Sequence, residues 1–200
     1  MNIAVLSGKG GTGKTFVSCN LAAAIGKSAY IDCDVEEPNG HLFFKPTEVI
    51  EQPVYVKIPQ IIADKCNHCR KCADFCHFNA LAFINDKPML FRGVCHSCGG
   101  CRIVCPHHAI VEQDYPIGSI RTGKHHSVVV KSGIMNTGEE SGVPIIRELL
   151  KELPCKTNVI DCPPGSACTV MESIKNANFC IIVAEPTIFG VHNFKMVYEL

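Results

Sequence analysis

Two hundred residues suffice for one α/β domain carrying a small insert, or for two compact units. A hydrophobic share of 46% with 19% charged residues is an ordinary globular composition. Lys and Arg (19) balance Asp and Glu (19), which argues against a general nucleic-acid or membrane surface and leaves partner choice to local sites.

The opening MNIAVL lacks a basic flank and is far too short for a signal peptide or a membrane span, so the expected location is cytoplasmic. Fourteen cysteines in that reducing setting argue for metal binding rather than a disulfide framework. Ile3–Leu6 reads as a strand, followed by a Gly/Ser/Thr loop and then Phe16–Ile25, where small and apolar residues recur at helical spacing. SAYIDCDVEEPNG reads as a second strand, Ser28–Ile31, ending in carboxylates and a proline-containing turn. From about Gln60 to Pro116 the chain turns cysteine-rich, with only the short apolar pieces ALAFIN, PML and AIVEQ, which predicts a small separately folded insert. Beyond it HSVVVKSG predicts a strand, GVPIIRELLKEL an amphipathic helix and TNVIDCPPG a strand and loop. ACTVMESIKNA predicts a helix, FCIIVAEPT a strand and VHNFKMVYEL a final helix. Strands alternating with helices imply right-handed crossovers, hence an α/β fold with a mostly parallel, doubly wound sheet. The expected domains are 1–59 with 117–200, and the insert 60–116.

Between the first strand and helix lies SGKGGTGKT, in which Gly8, Gly13, Lys14 and Thr15 satisfy GxxxxGK[ST]. Backbone N–H groups of Gly8 through Thr15, including Lys9, Gly10, Gly11 and Thr12, can surround phosphate oxygens, because glycine permits close approach and the helix N-terminus adds positive partial charge. Lys14 would reach the β and γ phosphates and the Thr15 hydroxyl would hold Mg²⁺. Asp161 ends the apolar NVI and is placed to organise Mg²⁺ through water, with Asp32 and Asp34 closing the second strand. A plain glycine turn and solvated strand-end aspartates are the structural alternatives.

The insert contains CNHCRKCADFC and CHSCGGCRIVCP, so Cys66, Cys69, Cys72 and Cys76 recur 29 residues later as Cys95, Cys98, Cys101 and Cys105. Three close thiolates hold three corners of a cubane, and the fourth reaches the other one. That crossing assigns Cys66, Cys69, Cys72 and Cys105 to one [4Fe–4S] cluster and Cys95, Cys98, Cys101 and Cys76 to a second. A pair of four-cysteine zinc sites is the alternative. Cys19, Cys33, Cys155, Cys162, Cys168 and Cys180 read as small buried hydrophobes, and His107-His108 and His125-His126 as solvated loop residues.

KGGTGKT, with its additional lysine, resembles the deviant Walker A motif of the MinD/ParA-type ATPases. The resemblance covers about residues 1–45 and 117–200. It implies that Lys9 contacts ATP across a nucleotide-dependent homodimer and that Asp34, in YIDCDVEEPN, positions the attacking water. VIDCPPG is similar to the family's Walker B and second switch. Members of that family continue through further strands and a loop that contacts the base, so 1–59 with 117–200 reads as a P-loop domain without its usual C-terminal part. Residues 60–116 look like a bacterial two-cluster ferredoxin, with His77 where the family usually has proline. The family carrying both parts is a MinD-type ATPase with an inserted ferredoxin domain, and SGIMNTGEESG resembles its segment after the insert. The resemblance implies ATP, Mg²⁺ and two [4Fe–4S] clusters as cofactors, and ATP-gated electron transfer to a redox partner. Alternatives are an iron–sulfur cluster assembly or carrier ATPase, for which no CxxC follows Cys105, and a positioning or partition ATPase, for which no basic tail is visible.

Overall fold

The structure is a computed structural model that describes residues 1–200. The chain forms two compact units: Met1–Val54 with Gly118–Asn136 and Ser141–Leu200, and Tyr55–Ile117 with Thr137–Glu140.

In the larger unit the central apolar runs become strands largely buried on both faces, as a parallel sheet covered by helices requires. These are β1 (Asn2–Leu6), β2 (Ser28–Asp32), β7 (Val128–Met135) and β8 (Asn158–Asp161), while β9 (Phe179–Ile182) is an exposed edge strand. With β3 (Thr47–Ile61) and β6 (Ile110–His125) they build a seven-stranded sheet in the order β3-β6-β7-β2-β8-β1-β9. The four pairings from β7 across to β9 are parallel, and β6 runs antiparallel to β7. The expected α/β, mostly parallel architecture is therefore the one observed.

The helices follow where predicted, with adjusted ends. α1 (Lys14–Ile25) starts two residues before the apolar pattern does, and Lys14, Ser18 and Ala22 bury one face at a spacing of four residues. α2 (Gly40–Phe44) is a short helix that the apolar pattern does not announce. α5 (Val143–Lys151) buries Ile145, Ile146 and Leu149, followed by α6 (Cys168–Ile174) and α7 (Ile188–Tyr198). Val5, Tyr30, Phe44, Val130 and Val159 form the core beside α1.

In the smaller unit β4 (Leu81–Ile84) and β5 (Lys87–Leu90) make a hairpin, accompanied by the one-turn helices α3 (Lys71–Phe75) and α4 (Gly100–Ile103). The cysteine repeat is also a backbone repeat. A 3₁₀ turn precedes each run, at Ala63–Lys65 and Arg92–Val94. Left-handed residues recur in equivalent places: His68 and Ser97, Arg70 and Gly99, Asn79 and His108. The halves are stitched reciprocally, Ile62 N–H donating to Ala109 and Phe91 N–H to Ala80, at 2.7 and 2.8 Å.

Two expectations need correction. Cys19, Cys33 and Cys162 are buried, but Cys155 is half-buried, and Cys168 and Cys180 are exposed. His125 ends β6 and packs its ring against Phe44 and His126, so it is not a loop residue. No helix is long and apolar enough to cross a membrane.

Gly118 shows how tightly β6 meets its neighbours: a Cβ there would stand 2.1 Å from the Ile134 carbonyl oxygen and 2.7 Å from Ile145 Cδ1. Gly118→Ala is expected to destabilise the larger unit by about 1–3 kcal/mol in urea unfolding; an unchanged midpoint would contradict this packing.

Candidate functional site

Strand β1 ends at Leu6, and the chain then turns through SGKGGTG before α1 begins at Lys14. Gly11 and Gly13 hold φ of 78° and 90°, the left-handed region that favours glycine, and a Cβ on either would meet nothing within 4 Å. The loop is therefore both conformationally dependent on glycine and open above. Thr12 Oγ1 is buried without a hydrogen-bond partner, an orphan that an acceptor seated in the loop would satisfy. Gly8 differs in that its Cα faces α7, where a Cβ would lie 2.5 Å from Asn193.

The loop forms one wall of a cavity of about 670 Å³, which Gly10, Gly11, Thr12, Gly13, Lys14 and Thr15 line from one side. Asp34, Glu36, Glu37, Asn39 and Phe43 close it on another, with Pro163, Pro164 and Thr169 opposite. Such a volume lies in the range of small-ligand clefts. The donor-rich loop and the helix N-terminus fit a polyphosphate, and the Thr15 hydroxyl provides an oxygen ligand suited to Mg²⁺.

The other predicted residues occupy distinct positions. Asp161 does not line the cavity. It is fully buried, with Lys14 Nζ 3.1 Å from Oδ1 and the Tyr30 hydroxyl donating to Oδ2 at 2.8 Å. Asp32 is its register mate on β2. Also buried, Asp32 accepts the N–H of Gly40 at 2.9 Å and of Asp34 at 3.2 Å, so it shapes the segment that carries Asp34. Lys9 pairs with Glu185 of its own chain at 2.6 Å. Thr169 and Glu185 are not marked by any motif, and within YIDCDVEEPN the resemblance gives a role to Asp34 alone. Only the EEPN run after Asp34 carries a signal that polar side chains gather there.

In the smaller unit the eight repeated cysteines gather into two sets. Cys76, Cys95, Cys98 and Cys101 line a cavity of about 130 Å³ with Phe75 and Phe78. Cys66, Cys69, Cys72 and Cys105 line a narrower one of about 20 Å³. Each set joins three cysteines of one half to the fourth of the other. Burial pushes the Cys72 and Cys95 thiols up and Cys101 to about 11, with neighbouring cysteines of the sets adding to the shift. A metal would have to displace those protons. No three side chains are spaced to hold a single ion. A cubane asks for something different, one thiolate on each of its irons, and a set of four cysteines fits that donor requirement.

A family model described as the CobQ/CobB/MinD/ParA nucleotide binding domain matches residues 3–180. The chain belongs to the CobQ/CobB/MinD/ParA family. Two uncharacterized proteins of Methanocaldococcus jannaschii are 32% and 33% identical to the whole chain, which spans 75% and 72% of their lengths. Among solved structures, MinD complexed with Mg-ADP from Pyrococcus horikoshii aligns over 99% of the chain at 19% identity and a TM-score of 0.51. The cell division ATPase MinD of Pyrococcus furiosus aligns over 98% at 18% identity and 0.52. At those identities the likeness is one of fold, and the chain spans 64% of each MinD chain, under two thirds of their length.

Asp32 gives this site a pH signature. Burial, then the neighbouring Asp161 carboxylate, push it from an ordinary 3.8 up to about 7. The folded chain thus holds this proton more tightly than the unfolded chain. The stability it confers is fully present below the unfolded value and is lost as pH rises through the folded one. Relative to Asp32→Asn, the unsubstituted protein should lose unfolding free energy between about pH 4 and 7 and hold a constant difference above. A pH-independent difference between the two would contradict the assignment.

Proposed function

We propose that the chain is a MinD-type P-loop ATPase in which ATP binding and hydrolysis gate electron transfer through two [4Fe–4S] clusters to a redox partner protein. The observation that carries the reading is the coexistence, in one chain, of an open phosphate-loop cavity and two sets of four cysteines.

On this reading Gly8–Thr15 wrap the phosphates, Lys14 reaches the β and γ groups, and Thr15 holds Mg²⁺. Asp34, half-buried on the cavity wall, orients the attacking water. Burial raises its carboxyl above the ordinary carboxylate value, while Lys14 draws it back down. Asp161, buried beneath the loop and outside the cavity, steadies Lys14. Lys9 leaves Glu185 and crosses to the nucleotide of a second copy in the ATP-bound homodimer. The exposure of this ion pair, 38% and 35%, makes it weak enough to exchange.

Residues 60–116 serve as the electron-carrying insert, with Cys66, Cys69, Cys72 and Cys105 ligating one cluster and Cys95, Cys98, Cys101 and Cys76 the other. When bound, such clusters supply one-electron storage at a potential set by their surroundings. The protein's part is to exclude solvent and fix the ligands. Leu81, Ile110 and Phe83 pack with Cys72, Cys101 and Cys105 within this unit, and Phe78 stacks on His96 at 3.8 Å. Transfer of iron to an apo-acceptor would instead favour a cluster-assembly ATPase.

Lys14→Ala should weaken Mg·ATP binding by roughly a hundredfold or more in calorimetry; retained affinity would remove Lys14 from the phosphate site. After anaerobic reconstitution, Cys76→Ser should abolish the cluster shared with Cys95, Cys98 and Cys101, and about half of the iron should go with it. Loss of the other cluster would contradict the crossed assignment, and zinc without iron would remove the redox function.

A further inference from the structure

Tyr30 lies in the middle of β2 with no exposed surface, the largest fully buried side chain of the protein. Its hydroxyl donates to one oxygen of Asp161 at 2.8 Å, and Lys14 Nζ stands 3.1 Å from the other. The phosphate-loop lysine and a strand tyrosine therefore share one buried carboxylate from opposite sides. The ring of Tyr30 faces α2. Its centroid is 5.2 Å from that of Phe44. At Gly40 a Cβ would stand 2.1 Å from Tyr30 Cε1, so only glycine allows the backbone to rest there. Gly40 and Phe44 are the two ends of α2, and Phe43 between them lines the loop cavity.

We propose that Tyr30 is a positioning residue that carries the occupancy of the phosphate loop to helix α2. The inference rests on reading that loop as a nucleotide site. A lysine drawn toward phosphate oxygens loosens its bond to Asp161, and a buried carboxylate that loses one donor needs another. The Tyr30 hydroxyl, already donating to the other oxygen, is the donor that remains to carry the carboxylate. Burial and the nearby Asp32 charge hold it well above its ordinary value, so it stays protonated and able to donate. Cys19, whose thiol is pushed up to about 12 by burial and by Asp161, stays neutral beside it and supplies no competing charge. Release of Lys14 therefore shifts the carboxylate onto the tyrosine, and the tyrosine onto the helix that leans on its ring. Without the hydroxyl, Asp161 would depend on Lys14 alone, and phosphate would have to break that dependence.

The test uses Tyr30→Phe, which keeps the ring against Phe44 and Gly40 and removes only the oxygen. Circular dichroism checks that it folds. Calorimetry with Mg·ATP should show affinity about tenfold weaker than in the unsubstituted protein. In an Asp161→Asn background, where no buried charge needs support, the same substitution should lose most of its effect. Hydrogen exchange of residues 40–44 should respond to Mg·ATP in the unsubstituted protein and not in Tyr30→Phe. Unchanged affinity and an unchanged exchange response in Tyr30→Phe would overturn the inference alone. So would an equal loss in both backgrounds, which would mark a packing effect. Absence of Mg·ATP binding by the unsubstituted protein would overturn the nucleotide reading, and this inference with it.

Discussion

A lysine ammonium and an aspartate carboxylate meet under the phosphate loop with 6% and 1% of their side chains exposed, and much of the larger unit is arranged around that pair. Desolvating two charges is costly, so such a pair is retained for position more than for stability. It fixes the start of α1 to the end of β8, and through Tyr30 it fixes β2 as well. Asp32, one strand over, cannot share that cation and turns to the N–H groups of Gly40 and Asp34 instead. The segment between them is thereby shaped into the cavity wall that holds Asp34. Two strand ends, the start of α1 and one loop thus rest on the disposition of two neighbouring carboxylates.

The smaller unit is governed by a different constraint. Its two halves repeat a turn, a cysteine run and a one-turn helix, and each donates a backbone N–H to the other. Reciprocal pairing brings the last cysteine of each run beside the first three of its counterpart. The crossing of the two sets is then a property of the backbone, present before any metal is considered. Its apolar content is small, with Cys72, Leu81 and Ile110 as the buried centre. A unit of this size with so few buried side chains would gain stability from any metal its cysteines hold.

Much of this is legible in the chain. The phosphate loop announces itself because its glycines, two of them at φ that favours glycine, and its lysine fall between an apolar run and a helical pattern. The cysteine sets are readable because one four-cysteine spacing recurs 29 residues later, from Cys66 to Cys95. What stays hidden depends on contacts between distant residues. β3 carries Pro53 and Pro59, which argue against a strand, yet it lies at the sheet edge, where a missing N–H costs little. β6 is interrupted by Pro116 and glycines, and its place between β3 and β7 in the sheet is what makes it a strand. Lys9 and Glu185 lie far apart in sequence, and no local pattern marks them as partners. Tyr30 reads as one more apolar strand residue, because its role resides in an oxygen aimed at Asp161. The exposure of Cys180 follows from its place on the edge strand β9, which periodicity alone does not reveal.

The central claim is that nucleotide and redox centres act on one another, and electron paramagnetic resonance tests it most directly. Anaerobically reconstituted protein, reduced with dithionite, would be compared with and without Mg·ATP, with iron and zinc measured on the same sample. The account predicts two interacting [4Fe–4S] signals whose line shape or midpoint potential changes when Mg·ATP is added. Reduced clusters indifferent to Mg·ATP, at nucleotide concentrations shown to saturate the loop, would contradict it and leave a ferredoxin and a nucleotide switch merely sharing a chain.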